Sequence, residues 1–433
     1  MPAPAPPPPF DEMWGEGRGA ERQCYAGLAA FLAGVEPSLL AARRSQVELF
    51  FRRIGITFAV YGDPDSAERL IPFDIVPRIL TRAEWTRLER GLIQRVAALN
   101  AFLADVYGAR ECVRAGIIPE ELVLLNPALR PESLGHHPVA GVWAHVAGID
   151  LVRIGEDDWR VLEDNVRTPS GASYMLENRE AMLRFFPELF SRHRVAPVDP
   201  YPEALLQTLR SVAPPGTQGE PRVALLTPGQ YNSAYFEHSF LADKAGIELV
   251  EGSDLVVRDD RLFMRTTEGL QRVDVLYRRV DDEFLDPLVG RPDSMLGVPG
   301  LLRARQAGNL TIVNEVGNGV ADDKAIYSYM PAIIRFFTGE EPLIANVETW
   351  RCREPEALAF VLDRLDELVV KEVDGSGGYG MLVGPRATQA EREAYRARIL
   401  ANPAGFIAQP TLSLSTCPAM VGEGLAPRHV DLR

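Results

Sequence analysis

Apolar residues recur along the first third of the chain at helical spacing. Leu28, Phe31, Leu32 and Val35, then Val47, Phe50, Phe51 and Ile54, repeat at three- and four-residue steps, so residues 11–55 read as helical. Residues 82–107 predict a long amphipathic helix with the stripe Trp85, Leu88, Leu92, Val96, Leu99 and Leu103. Between them, residues 58–61 and 70–73 read as short extended pieces about the turn Gly62-Asp-Pro-Asp65. Past residue 135 the pattern changes to that of strands. Residues 148–154 and 159–163 form two apolar-rich runs across the turn 155–158, which predicts a β-hairpin. A helix over 174–190 and a proline-containing connection over 193–220 follow.

A βαβ pattern comes next. Residues 222–226 read as a buried strand, 233–245 as a helix and 247–250 as a strand, with further strands at 262–264 and 273–277. The layout is Rossmann-like, but the turn 227–230 holds a single glycine and lacks the Gly-x-Gly-x-x-Gly dinucleotide loop, so NAD is not read. Arg278 and Arg279, just past a strand end, read either as anion contacts or as a solvated edge. A strand ending near Asn314, a glycine-rich loop and a helix over 321–336 come after. Asp322 and Asp323 in its first turn suit the helix dipole, and Lys324 does not. Lys324 therefore reads either as placed for a ligand or as solvated. The last part is a strand at 368–371, a loop, a strand to 383, a helix over 388–401, a strand over 406–410 and an alternating piece at 429–433.

Length and composition narrow the class. A chain of 433 residues exceeds one ordinary domain, so two or three packed lobes are expected. Hydrophobic content of 46% and charged content of 24% are those of a globular enzyme or binding protein. A net charge of −14 argues against nucleic-acid binding by phosphate neutralisation, but not against a local cationic nucleotide site. Cys24, Cys112, Cys352 and Cys417 are scattered without a Cys-x-x-Cys, which predicts a reducing, cytoplasmic setting and no zinc or disulfide framework. No run of about 18 apolar residues is present, so no membrane span is expected. The Pro/Ala-rich residues 1–10 predict a disordered tail without the plan of a signal peptide.

Three stretches carry candidate chemistry. In Val161-Leu-Glu-Asp-Asn-Val-Arg-Thr-Pro-Ser-Gly171, strand alternation puts Glu163 and Asn165 on one face and turns Asp164 away. A carboxylate with an amide oxygen is a hard-oxygen pair, suited to magnesium held mainly by phosphates. The hairpin brings Asp150 towards Glu163, either as a third oxygen ligand or as a solvent-facing Asp. In Leu368-Val-Val-Lys371-Glu-Val-Asp-Gly375-Ser376-Gly377-Gly378-Tyr379-Gly380, a lysine at a strand end precedes four glycines in six residues. Such a loop can close its N–H groups on phosphates, but it is not a Walker loop, because no Gly-Lys-Ser/Thr follows. Gln409, on the strand 406–410, lies where an extended backbone can receive an adenine edge. A Cys–His hydrolase reading would use Cys417 with His136 and His137, against the usual role of such a cysteine as a small buried residue.

Together these pieces resemble the circularly permuted branch of the ATP-grasp superfamily, over nearly the whole chain from residue 11 to residue 433. The sequence is more distantly similar to glutathionylspermidine synthetase, whose metal motif has the form Glu-x-Asn followed by Thr-Pro-Thr/Ser, as in Glu163-Asp-Asn165 and Thr168-Pro-Ser170. The metal ligands precede the lysines here, as in the permuted branch. The resemblance implies an α+β fold: a tail (1–10), bracing helices (11–135), the metal-ligand part of the core (136–192), a Rossmann-like pre-ATP-grasp subdomain (193–300), and the lysines, lid and hinge strand (301–433). It implies Asp150, Glu163 and Asn165 as magnesium ligands. It implies Lys324, Lys371, residues 375–380 and Gln409 as the ATP contacts.

An Arg two residues before the metal Asp is replaced here by Gly148, and Arg153, Arg167 and Arg279 are the alternatives. Arg433, in an Asp-x-Arg strand, resembles a phosphate contact of other ATP-grasp ligases, and the family usually continues past it into a further strand and a Gly/Ser-rich tail. The implied activity is ATP- and magnesium-dependent ligation of a carboxylate to an amine through an acyl phosphate, with small-molecule or peptide substrates. A non-catalytic nucleotide-binding scaffold and a phosphotransferase acting on a carboxylate are the alternatives.

Overall fold

The hairpin forms the centre of the molecule. Gly148–Arg153 pairs antiparallel with Trp159–Asn165, and the register sets Asp150 opposite Glu163 and Gly148 opposite Asn165. Ala345–Asn346 adds on one side in parallel, and Asp431–Leu432 on the other in antiparallel, to make a four-stranded sheet. The computed structural model describes residues 8–15, 22–58, 69–70, 73–373, 375, 380–422 and 424–432. Most of the expected tail, the pieces about the turn 62–65, Ser376, Gly377, Gly378, Tyr379 and Arg433 lie outside the described residues.

Two helices cover the sheet. Arg82–Val106 and Lys324–Thr338 bury Leu99, Phe102, Leu103, Met330 and Ile333 against Leu151 and Val161. Each such side chain contributes about 1.5–3 kcal/mol by leaving water. The first of these helices is the one expected at 82–107, but its inner face is not the purely apolar stripe. Trp85 is 46% exposed, whereas Glu84 and Arg95 are buried. The reason is pairing. Glu84 caps the helix through Thr81 and accepts from Arg22 and Arg153 at 2.9 Å each. Arg95 grips Asp164 with two bonds of 2.6 and 2.7 Å and donates to Asn346 at 2.8 Å. Thus Asp164, turned away from Glu163 by the alternation, is an internal anchor.

The N-terminal helices Ala26–Gly34 and Pro37–Ile54 pack with Ala172–Phe185 in a second core. The helix expected over 174–190 is two helices that meet at Phe186, where Pro187 starts a new one. The connection 193–220 contains a helix, Tyr201–Ser211, that buries Leu205, Leu206 and Leu209. Pro200 and Pro202 read as breakers, but they stand at its start, where a missing N–H costs nothing.

A parallel sheet carries Thr311–Val313, Val275–Arg278, Val223–Leu226 and Glu248–Val250, in that order. The run 273–277 is not one strand. Gly269–Val273 belongs to a separate antiparallel sheet, and the chain changes sheet at Asp274, which accepts Arg222 N at 3.0 Å. A further antiparallel sheet orders Trp350–Arg351, Phe406–Pro410, Leu368–Glu372 and Leu382–Val383. Helices Pro355–Asp363, which the sequence reading omits, and Gln389–Ala401 pack on it through Val361 and Ile399. No single described helix is long and apolar enough to cross a membrane.

Removing one partner of the buried Arg95–Asp164 pair leaves an uncompensated charge. Arg95→Met is expected to cost about 3–5 kcal/mol, read as a lower urea midpoint. Arg95→Met combined with Asp164→Leu is expected to recover most of that loss, because neither charge then remains inside.

Candidate active site

Glu163 is the centre of the polar cluster. It faces Asp150 across the hairpin and lies 3.8 Å from Lys324 Nζ. Burial works against its carboxylate. Lys324, then Lys371, with hydrogen bonds involving Asp150 and Asn165, outweigh burial and hold its pKa below the ordinary value. The two lysines, 47 residues apart in the chain, therefore meet the acid from separate elements.

Lys324 opens the helix Lys324–Thr338, but the two acids before it do different jobs from those expected. Asp323 is the N-cap, accepting from Ala325 N at 2.7 Å and Ile326 N at 3.1 Å. Asp322 lies outside the helix and reaches back to the turn after the hairpin, accepting from Val166 N, Arg167 N and Arg167 Nε. Lys324 is therefore tied to the segment after Glu163 and Asn165 through Asp322, two residues before it.

The turn 166–173 is held from several sides by buried polar groups. Asn314 accepts from His145 N and Val146 N and donates to the carbonyls of Val146 and Val166. Asn318 donates to the same Val166 carbonyl. Glu237 accepts from Gly171 N, Ser173 N and Ser173 Oγ. Arg279 donates to the carbonyls of Pro169 at 2.7 Å and Thr168 at 3.1 Å, with Glu237 3.7 Å away. Sequence reasoning missed Asn314, Asn318, Asp322 in this role and Glu237. Their only signal was a polar residue at a strand end or helix start, and their partners lie up to about 170 residues away.

The predicted arginines separate. Arg279 is buried and spends its donors on the turn, and Arg278 is buried against Asp282 and the Asn314 carbonyl, so neither is a solvated edge. Arg153 is buried among Glu84, Glu12 and the carbonyl of Gly155. Arg167 remains partly exposed, bonded to Asp322 at 2.7 Å and 3.8 Å from Asp281. A Cβ at Gly148 would stand 3.0 Å from Pro169 Cβ, so a side chain there would press on the same turn.

The lid sheet presents Lys371 and Gln409 on one face. Lys371 pairs with Ile407 and Val369 with Gln409, and residues two apart on a strand share a face. Gln409 is buried and donates to Thr349 Oγ1 at 3.1 Å. Of the glycine-rich loop, Gly375 and Gly380 are described. The Gly375 carbonyl accepts from Lys324 Nζ and the Gly380 carbonyl from Tyr395 OH. On the opposite face Glu372 borders a groove of about 740 Å³ with Asn126, Asp323, Arg353 and Arg398.

Asp150, Glu163 and Asn165 fit a hard cation in chemistry, since all three offer oxygen. Among the described residues, no group of three or more His, Cys, Asp or Glu could hold a metal alone. Two carboxylates with one amide suit a cation carried largely by phosphates. Cys417 lies against Tyr25 at 3.6 Å, and burial pushes its thiol up to about 12, the wrong direction for a nucleophile.

Lys371 is the strained member. Burial lowers its pKa below the ordinary 10.5; Glu163 opposes this, Lys324 adds to it, and Asp150 opposes it again. Between the depressed folded value and 10.5 the unfolded chain binds more protons, so this group makes stability rise with pH across that window. Below the window the charged form is a full cost to the fold. Lys371→Met is therefore expected to melt at or above the wild-type temperature at pH 7 and to lack the alkaline gain, as thermal melts across pH 7–11 would show.

The family profile described as circularly permuted ATP-grasp type 2 matches residues 77–433. An uncharacterised protein of Synechocystis sp. (strain ATCC 27184) is 50% identical over 424 residues, covering 98% of this chain and 88% of its own length. A Frankia casuarinae protein provisionally named glutamate–cysteine ligase 2-2 is 44% identical over 428 residues; the match covers 99% of this chain but 49% of that longer protein. Among solved structures, a glutathione synthetase-like effector from Globodera pallida, in apo form, matches with TM-score 0.57 at 12% identity, over 95% of this chain and 89% of its own. That likeness is one of fold. The chain belongs to the circularly permuted ATP-grasp family, type 2, and has its α+β architecture.

Proposed function

We propose that this protein is an ATP- and magnesium-dependent carboxylate–amine ligase working through an acyl phosphate. The observation that carries the reading is the meeting of Glu163, Asp150 and Asn165 with Lys324 and Lys371, an oxygen-donor set facing two ammonium groups. The ligase name of the Frankia relative supports the reaction class, although about half of that protein lies outside the match.

In this reading Asp150, Glu163 and Asn165 hold magnesium that arrives with ATP. The ion supplies charge neutralisation at phosphate oxygens. Lys324 and Lys371 grip the phosphates from opposite elements, exchanging Glu163 for a phosphate. Gln409 and the hinge strand orient the base. Lys371 and Lys324 keep the acyl phosphate's oxygens paired, which would limit its reaction with water. The substrate carboxylate attacks the γ-phosphorus and ADP leaves. The amine then attacks the acyl carbon, the carbon–oxygen bond to phosphate breaks, and an amide and inorganic phosphate form. The protein's share is positioning and charge stabilisation.

Of the three arginines considered, Arg167 is the one whose side chain is partly exposed and follows the strand of Glu163 and Asn165, so it is assigned to the acyl phosphate. Arg279 acts by holding the turn 168–169.

Glu163→Gln keeps the size and loses the charge. It is expected to remain folded by circular dichroism and to lose at least about 100-fold in ATP-dependent hydroxamate formation with a pool of carboxylic acids and hydroxylamine. Wild-type rates in that variant would overturn the assignment. ADP release by the wild type without hydroxamate would favour a phosphotransferase whose product resists trapping, and ATP binding without turnover would favour a scaffold.

A further inference from the structure

The parallel sheet has a topological switch point beside the candidate site. From Val223–Leu226 the chain adds Glu248–Val250 on one side and returns to Val275–Arg278 on the other. In open α/β sheets a crevice outside the carboxyl ends of two such strands is where ligands sit. Here that edge is covered by the turn after the metal-ligand strand, because Arg279 holds the carbonyls of Thr168 and Pro169. A molecule in the crevice is thereby placed near Asn165.

The charges at this edge divide into two kinds. Arg278 and Asp282 are buried and paired at 2.7 Å, and Arg279 and Glu237 are buried and committed to the turn. Asp281 differs. Its side chain is 52% exposed and, among the described residues, accepts no hydrogen bond; its nearest cation, Arg167, stands 3.8 Å away, beyond bonding distance. Arg167 in turn is anchored through Nε to Asp322 at 2.7 Å, and its Nη1 is the nitrogen that faces Asp281. Tyr231, on the loop after Val223–Leu226, is 82% exposed at the same end of the sheet. A half-exposed carboxylate in a long ion pair is open to a donor of several N–H bonds.

We propose that Asp281 receives the ammonium group of the amine substrate, and that Arg167 is the cation it leaves when that amine arrives. The inference rests on the ligase reading and names the class of second substrate, a protonated primary amine. The ammonium donates N–H bonds to the Asp281 carboxylate, which takes one of its protons so that the neutral amine can attack the acyl carbon as phosphate leaves. The freed Arg167 nitrogens then turn to the acyl phosphate. The exchange brings the amine and the acyl carbon to one side of the crevice.

Hydroxylamine trapping provides the test, since an added amine competes with hydroxylamine for the acyl phosphate. The full chain is assayed with Mg·ATP, a pool of succinate, glutarate, glutamate and glutathione, and hydroxylamine. Alanine, lysine and spermidine are titrated in. The amine concentration that halves hydroxamate formation is expected to rise about tenfold or more in Asp281→Ala, with Asp281→Glu in between. An equal half-value in Asp281→Ala and wild type overturns the proposal. Hydroxamate that no amine suppresses in the wild type overturns the proposal and leaves the ligase reading standing, whereas no hydroxamate at all overturns both. A second readout covers an Asp281→Ala enzyme that traps too slowly to titrate. The rise in melting temperature that the amines give the wild type in the presence of Mg·ATP is expected to vanish in Asp281→Ala, and an undiminished rise overturns the proposal.

Discussion

The bidentate contact between Arg95 and Asp164 is the constraint on which the rest of the site depends. Strand residues alternate, so one side chain held firmly inside fixes the direction of its neighbours. With Asp164 clamped to the helix Arg82–Val106, Glu163 and Asn165 face the opposite side together. A slip of one residue would bury Glu163 and expose Asp164. The clamp therefore acts on chemistry as well as on stability, although Arg95 itself sits under the sheet.

The turn that follows shows the same use of buried polar groups for placement. Asn314, Asn318, Asp322, Glu237 and Arg279 come from three stretches of the chain, around 237, 279 and 314–322, and each makes at least one hydrogen bond to the backbone of 166–173. Satisfied in this way, such groups are compatible with burial. They weld the hairpin, the parallel sheet and the start of the helix Lys324–Thr338 into one support. Among the described residues, the sheet that carries Lys371 meets that support through Lys324 with Val373 and Gly375, Arg351 with Ser328, and Arg353 with Glu121.

Electrostatic crowding is concentrated where function is proposed. Lys324 and Lys371 repel one another, Lys371 is desolvated, and Glu163, with Asp150 beside it, offsets them. Such an arrangement can accept more negative charge than the protein supplies, which is what the proposed nucleotide would bring. The Arg167–Asp281 contact at the neighbouring strand edge has the same unfinished character, a pair held near but not in bonding contact.

Local pattern alone was enough to reveal the hairpin, its facing acids, the long helix, the parallel strands and the glycine-rich loop, because each depends on spacing within a few residues. The motif Glu163-Asp-Asn165 with Thr168-Pro-Ser170 carried the family for the same reason. Pattern failed where a polar residue was buried by a distant partner. Trp85 looked like core and is exposed, while Glu84 and Arg95 looked like surface and are inside, since their ion pairs lie far along the chain. It failed too at Pro200 and Pro202, where the same residue that ends one helix can begin another. Which arginine stays partly exposed was decided only by tertiary structure. Arg153, Arg167 and Arg279 are equivalent as letters, and what separates them is which partners the fold brings within about 4 Å of each guanidinium.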